Sequence, residues 1–241
     1  MQKDCATLTT KLESLKQLKT GFDLELSSLP QTGKTGDLVS IRELKLKLQH
    51  NLKELRERLP LGDWEKFYQE VLDLECDFSD VAIPEKQEGF DRLLIMAQGL
   101  TFEQLLAKTR SVDRGELYGE FDMAAMFNSI YSDRTTKTAY AIWVRDSQEP
   151  DKELTGLSSE QIKDQKLATE TFEERLLHGL KYLKETGQNL DVNTITLCNG
   201  SQFKSGVVPG IYYNNINGGT YINSYVARNR GILLGARAVI V

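Results

Sequence analysis

The spacing of apolar residues changes part-way along the chain, and that change constrains the fold more than any motif. In LVSIRELKLKLQHNLKELRERL, the residues Ile41, Leu44, Leu48, Leu52, Leu55 and Leu59 recur at three- and four-residue intervals, the stripe of one helix face. An earlier stripe of Leu8, Leu12, Leu15 and Leu18 predicts a first helix. Pro60 and Gly62 end the second, and GDWEKFYQEVLDLE predicts a third with Asp63 as its N-cap. Such helices suit a hairpin or small bundle, or a coiled-coil oligomerisation arm. Near the other end, in GTYINSYVA, the period is that of a strand: Tyr221, Asn223 and Tyr225 fall on one face and Ile222, Ser224 and Val226 on the other.

The expected fold class is therefore α+β, with an α-helical N-terminal region over 1–87 and a mixed domain over 88–241. The stretch PEKQEG reads as the linker. Within the mixed domain FDRLLIMAQGLT predicts a short strand, FEQLLAKTRS a helix and YSDRTTKTAYAIWVRD a strand. LSSEQIKDQKL predicts a short helix capped by Ser158 or Ser159. TFEERLLHGLKYLKETG predicts a longer one, with a capping box between Thr171 and Glu174, Gly187 past its end and a buried stripe through Phe172, Leu176, Leu177, Leu180 and Leu183. That stripe leaves His178 at a surface or edge. VNTITLCNG predicts a buried strand, and VVPGIYY, GTYINSYVA and LLGARAVIV three more.

Several functional classes find little support. A net charge of −5 over 241 residues, with no basic cluster, argues against a general nucleic-acid binder. The start of the chain has no apolar leader, and no run of about 18 apolar residues occurs, so a cytoplasmic protein with no membrane span is expected. Three scattered cysteines suggest neither a disulfide framework nor a metal site, and a reducing compartment fits them best. Gly33-Lys34-Thr35 lacks the earlier glycine of a phosphate-binding loop, since Ser28 stands there, and no strand precedes it. It reads as a polar turn. His50 and His178 fall on different predicted helices in different halves, which leaves no histidine-based catalytic or metal arrangement. RDSQEPDKE reads as a solvated loop and Cys198 as a buried structural thiol. No catalytic residue, cofactor or metal is expected.

What remains unusual is GIYYNNINGGTYINSYVARNRG, which carries no charge before Arg228 and concentrates Tyr, Asn and Gly. Tyr offers rigid amphipathic contact area and Asn adaptable hydrogen bonds, the mixture found in binding loops. The candidate ligand-binding residues are Phe203, Tyr212, Tyr213, Asn214, Asn215, Asn217, Tyr221, Asn223, Tyr225, Arg228 and Asn229.

The order strand, two helices, then strands over 138–241 resembles the C-type lectin fold. CNGSQF followed later by LGARAVIV is similar to the paired motifs of its formylglycine-generating branch, with Ala236 where an aromatic is usual. A closer resemblance is to the variable proteins of diversity-generating retroelements. In those, a reverse transcriptase rewrites adenines in the last part of the gene, and Asn codons are its natural targets. The variable segment would span about 199–231, with Val208, Pro209, Leu234, Arg237 and Ala238 as fixed frame. The resemblance implies a ligand-binding protein whose partner is an unknown macromolecule, most simply a protein, and whose helical part suits a homo-oligomer. The rival expectations are a helical oligomeric scaffold with a non-variable cap, or an enzyme of the formylglycine-generating type, which would need reactive cysteines beside Cys198.

Overall fold

The computed structural model describes residues 60–112 and 130–241, with Ser14, Gln17, Thr20, Leu46 and Lys47 as single helical positions. The two leucine stripes at 8–18 and 41–59, and the Gly33 turn, lie outside the described residues. The chain divides into two compact units, one of 1–70 with 77–79 and one of 71–76 with 80–241.

In the first unit, helix α1 (Pro60–Phe67) starts at Pro60, so Asp63 lies in its first turn and is not the N-cap. A proline suits the first helical position because its missing N–H needs no partner there. A π-helical turn, Tyr68–Leu72, follows. Trp64, Phe67, Tyr68 and Phe78 are buried together, with Trp64 and Phe67 edge to face at 5.2 Å and Tyr68 against Phe78 at 5.2 Å. The Phe78 amide donates to Glu65 Oε1 at 3.1 Å and pins that return.

The second unit is α+β, built from three small sheets around one long helix. Strand β1 (Arg92–Met96) pairs antiparallel with β3 (Tyr140–Val144), and β3 with β9 (Val239–Ile240). Their sequences RLLIM and YAIWV are nearly continuous apolar runs, and Leu94, Ile95, Met96, Ile142 and Val144 are fully buried. Helix α2 (Phe102–Val112) follows β1, and α3 (Ser159–Asp164) carries a capping box from Ser158 to Gln161. The long helix α4 (Phe172–Thr186) has the expected Thr171/Glu174 capping box and ends on Gly187 at φ 71°. Phe102 stacks on Phe172 at 5.1 Å, joining α2 to α4.

Strand β2 (Ile130–Ser132) pairs with β5 (Ser201–Phe203). The third sheet has the order β7-β6-β4-β8, from β4 (Ile195–Leu197), β6 (Val207–Asn214), β7 (Gly219–Val226) and β8 (Leu234–Gly235). All its pairs are antiparallel except β4 with β8.

Four expectations need correction. The strand predicted over 131–146 is two, β2 and β3, because Arg134 turns inward between them to hold Glu174 at 2.7 Å. The terminal run LLGARAVIV is also two strands: β8 belongs to one sheet and β9 to another, and Arg237 is buried at the crossing. PEKQEG is no free linker, since Pro84 O accepts from Trp143 Nε1 at 2.9 Å and Phe90 joins a core cluster with Leu154 and Ile162. RDSQEPDKE is not simply solvated. Asp151 is 3% exposed, accepting from the Ala238 amide at 2.8 Å and from Arg145, and Glu149 accepts from Asn193 and Thr194.

Candidate ligand-binding surface

The hairpin of β6 and β7 separates core from surface by strand alternation. Ile211 pairs with Ile222 and also with Thr196 of β4, and all three are buried on the face turned toward α4. The next pair, Tyr212 with Tyr221, points the other way. Its rings stack at 5.3 Å with an interplanar angle of 28°. Asn223, two residues on, lies between the Tyr212 and Tyr225 phenols as a hydrogen-bond partner to each. Burial pushes both phenols above their ordinary value, and the Asn223 bond opposes that shift, so the face is neutral around pH 7.

Gly210 makes this face possible. A Cβ there would lie 2.5 and 2.8 Å from Tyr225 Cε2 and Cδ2, so only a glycine lets the Tyr225 ring lie flat across β6. The ring also packs against Leu197, Val208 and Leu234. Tyr225 is therefore partly structural, whereas Tyr212, Tyr221 and Asn223 form the more open part of the face.

At the hairpin tip, Asn214 Oδ1 accepts from the amides of Ile216 at 2.9 Å and Asn217 at 3.3 Å, an Asx turn that Gly218 completes at φ 71°. Asn217 Nδ2 donates to the Tyr221 hydroxyl at 2.5 Å, tying the tip to the stacked pair. Asn215 reaches Val192 O at 3.5 Å. At the opposite end, where Val207 meets Val226, the chain enters a turn with Arg228 and Asn229 exposed and the Asn229 amide bonded to Val226 O.

Two candidates stand elsewhere. Phe203 is 3% exposed and sits in β5 opposite Ile130, so its ring belongs to the core. Tyr213 faces inward, half-buried, beside a small cavity of about 30 Å³ lined also by Arg175, Gly179 and Thr220. Ile216 and Ile232 had no place in the sequence reading, and Leu233 was expected in a strand. Ile216 is 93% exposed at the tip, and Ile232 and Leu233 are exposed beyond Arg230. Ile216 was legible as an apolar residue inside an Asx turn. Leu233 opens the predicted strand LLGARAVIV but is exposed, just ahead of β8.

The polar centre of the unit lies behind this surface. His178 is fully buried, contrary to the expected edge position, because α4 is covered on nearly every side and its polar residues are enclosed with partners. His178 Nδ1 meets Glu170 Oε1 at 2.7 Å. Burial raises the Glu170 carboxyl to about 7 and holds His178 well below its ordinary value. Asp191 bridges Arg175 at 2.6 Å and Arg237 at 2.5 Å. Burial raises its pKa, but the two guanidiniums more than offset this and keep it ionised. Cys198 is buried as expected, its thiol pushed well above the ordinary range by desolvation. Two open clefts of about 440 and 430 Å³ flank Arg134, but that guanidinium and the Tyr140 hydroxyl are already committed to Glu174. Among the described residues, no cluster of three or more His, Cys, Asp or Glu could hold a metal ion, and no helix is long and apolar enough to cross a membrane.

No protein-family profile, curated protein or solved structure matches the chain.

Proposed function

We propose that the second unit is a C-type-lectin-like recognition domain whose outward β6–β7 face binds a macromolecular ligand, most simply a protein, and that a retroelement diversifies this face. The observation carrying the reading is the division of the hairpin. Ile211, Ile222 and Thr196 hold the core on one side, so Tyr212, Tyr221 and Asn223 on the other are free to change without opening it. Tyr and Asn supply contact area and hydrogen bonds at low conformational cost. The Asx-turn tip and Gly210 hold the face in one shape, which limits the ordering needed on binding. The proposed frame of the variable segment agrees with burial: Val208, Pro209, Leu234, Arg237 and Ala238 are all enclosed. The pairing of β3 with β9 brings the last strand beside an early one, as the lectin-like reading requires.

The helical stripe at 41–59 supports a homo-oligomer presenting several such faces, and the free thiols Cys76 and Cys198 suit a reducing cytoplasm. The enzymatic alternative has no observation in its favour, since Cys198 is enclosed and protonated. The decisive genomic observation is a reverse transcriptase gene nearby, with a near-copy of the final coding segment differing mainly at adenines. Finding neither removes the retroelement from the proposal. For binding, the test compares the parent with Tyr212→Ser/Tyr221→Ser/Asn223→Ser in capture of partners from cell-surface and cytosolic extracts, with unfolding measured alongside. Capture should be lost while the fold survives; unchanged capture would move the ligand elsewhere.

A further inference from the structure

The end of the hairpin opposite the Asx tip combines features that the tyrosine face alone does not explain. From Val192 to Val241 the chain has no Asp or Glu side chain, although the whole protein carries more acidic than basic residues. The exposed charges on this segment are Lys204, Arg228 and Arg230. Lys204 lies in the turn entering β6 and the two arginines follow β7. Because Val207 pairs with Val226, both loops leave the same end of the hairpin. Arg92, Arg134, Arg145, Arg175 and Arg237 each hold a carboxylate in an ion pair. Lys204, Arg228 and Arg230 hold none among the described residues; Arg230 instead donates through Nε to Gly156 O at 3.3 Å, which fixes its arm. The neighbouring helix brings one acid close, Glu160, whose amide donates to Ala227 O, and one further cation, Lys163, which donates to Gln202 Oε1 at 3.0 Å.

Of the exposed apolar residues, Val226 belongs to this end. Three exposed cations thus gather at one end of a neutral aromatic face, on a segment with no Asp or Glu of its own.

We infer that the ligand of this surface is a protein segment rich in carboxylates, its acidic groups meeting Lys204, Arg228 and Arg230 while its apolar and amide groups lie along Tyr212 and Tyr221. The inference rests on the reading of the hairpin as a recognition face and adds the chemistry of its partner. Opposite charge at the rim steers encounter and excludes like-charged competitors. Tyr and Arg are the residues that most often anchor protein interfaces. A nucleic-acid polyanion fits less well, because three cations on a chain of net charge −5 neutralise too few phosphates. An anionic bilayer would use the cations but would leave the stacked tyrosines and the Asx tip without a role.

The test is panning of a displayed random-peptide library on the full chain, read as the charge of the enriched peptides, followed by titration of those peptides at low and high salt. Enrichment in Asp and Glu is expected, with binding that weakens with salt and falls about tenfold or more in Arg228→Glu/Arg230→Glu. No enrichment, enrichment in neutral or basic peptides, or acidic peptides indifferent to the charge reversal would each overturn the inference. Tyr212→Ser/Tyr221→Ser separates it from the reading beneath. If that variant loses the enriched peptides whatever their charge, the recognition face stands and only its partner chemistry has failed; if it binds as the parent does, both fail. Co-sedimentation with phosphatidylserine vesicles, or retention of a single-stranded oligonucleotide, that the charge reversal abolishes would assign the cations to a membrane or nucleic acid and equally overturn it.

Discussion

Asp191 is the residue whose loss should damage the second unit most for its size. Its Oδ1 accepts from Arg237 Nη2 at 2.5 Å, and its Oδ2 accepts from Arg175 Nε at 2.7 Å and Nη2 at 2.6 Å. All three side chains are enclosed, so Asp191→Ala leaves two guanidiniums sharing a site without a counter-charge. Breaking a buried pair costs about 3–5 kcal/mol. Arg237 keeps the carbonyls of Ser147 and Gln148, which softens the loss on its side. A second contribution comes from the backbone, because Asp191 is left-handed at φ 57°, a conformation that costs an alanine about 1 kcal/mol or more. The total for Asp191→Ala is about 5 kcal/mol, against a whole-domain stability of about 5–15 kcal/mol. Asp191→Asn should lose less, about 2–3 kcal/mol, since Asn tolerates the left-handed region and keeps one acceptor. Asp191→Gly should fall between them. Urea unfolding of the full chain, followed by near-ultraviolet circular dichroism, measures the series, and in an Arg237→Met background the Asp191→Ala cost should shrink. A loss below about 1 kcal/mol for Asp191→Ala, or Asn no better than Ala, would refute the argument that this bridge ties α4 to the final crossing.

Gly210→Ala should push the Tyr225 ring off β6 and cost about 1–3 kcal/mol, because the new methyl meets the ring at 2.5 Å and Ile195 Cγ2 at 3.1 Å. Unchanged tyrosine ring shifts in the NMR spectrum, with unchanged stability, would contradict this. For pH, the folded state keeps a proton on Glu170 that the unfolded chain releases between 4.5 and about 7, so its contribution is present below 4.5 and lost as pH rises. His178 works in the opposite sense: its folded pKa is depressed, and its contribution is present above 6.5 and lost as pH falls. Below 6.5 the two therefore oppose one another. Glu170→Gln should therefore remove the opposing contribution and leave stability that rises more steeply with pH towards 6.5, and an unchanged profile of stability against pH would sink the assignment. Light scattering of the full chain should show an oligomer that Leu48→Ser/Leu52→Ser dissociates, whereas a monomeric parent would leave the 41–59 stripe as internal packing.

Much of this structure was written in local chemistry. The Thr171/Glu174 box, the Gly187 stop and the alternation of Ile222 with Tyr221 and Asn223 depend on neighbours within a few residues, and each has its own side-chain pattern. The outward Tyr/Asn face was legible for the same reason, because a strand that is apolar on one side and Tyr/Asn on the other declares which side meets the core. Arg237, His178 and Asp151 were not legible. A charged residue is buried only when a distant partner arrives, and Arg237 finds Asp191 46 residues away, with nothing near either to announce the other. The split of LLGARAVIV follows from the same cause: an apolar run gives no sign that its central arginine belongs inside. The exposed cations at the hairpin end were visible as residues, but that Lys204, Arg228 and Arg230 meet at one end without a carboxylate emerges only from the pairing of Val207 with Val226.

The central claim is that the outward face can be rewritten for binding while the inward face holds the fold. Its most direct measurement is a displayed library in which positions 212, 217, 221 and 223 of the full chain are randomised together, sorted first for folded display and then against several unrelated purified proteins. Most members should remain folded, and specific binders to more than one target should emerge, while a matched library at 196, 211 and 222 should collapse because those side chains are buried. If the outward library unfolds as readily as the inward one, or yields no specific binder, the hairpin is structural packing and not a recognition surface.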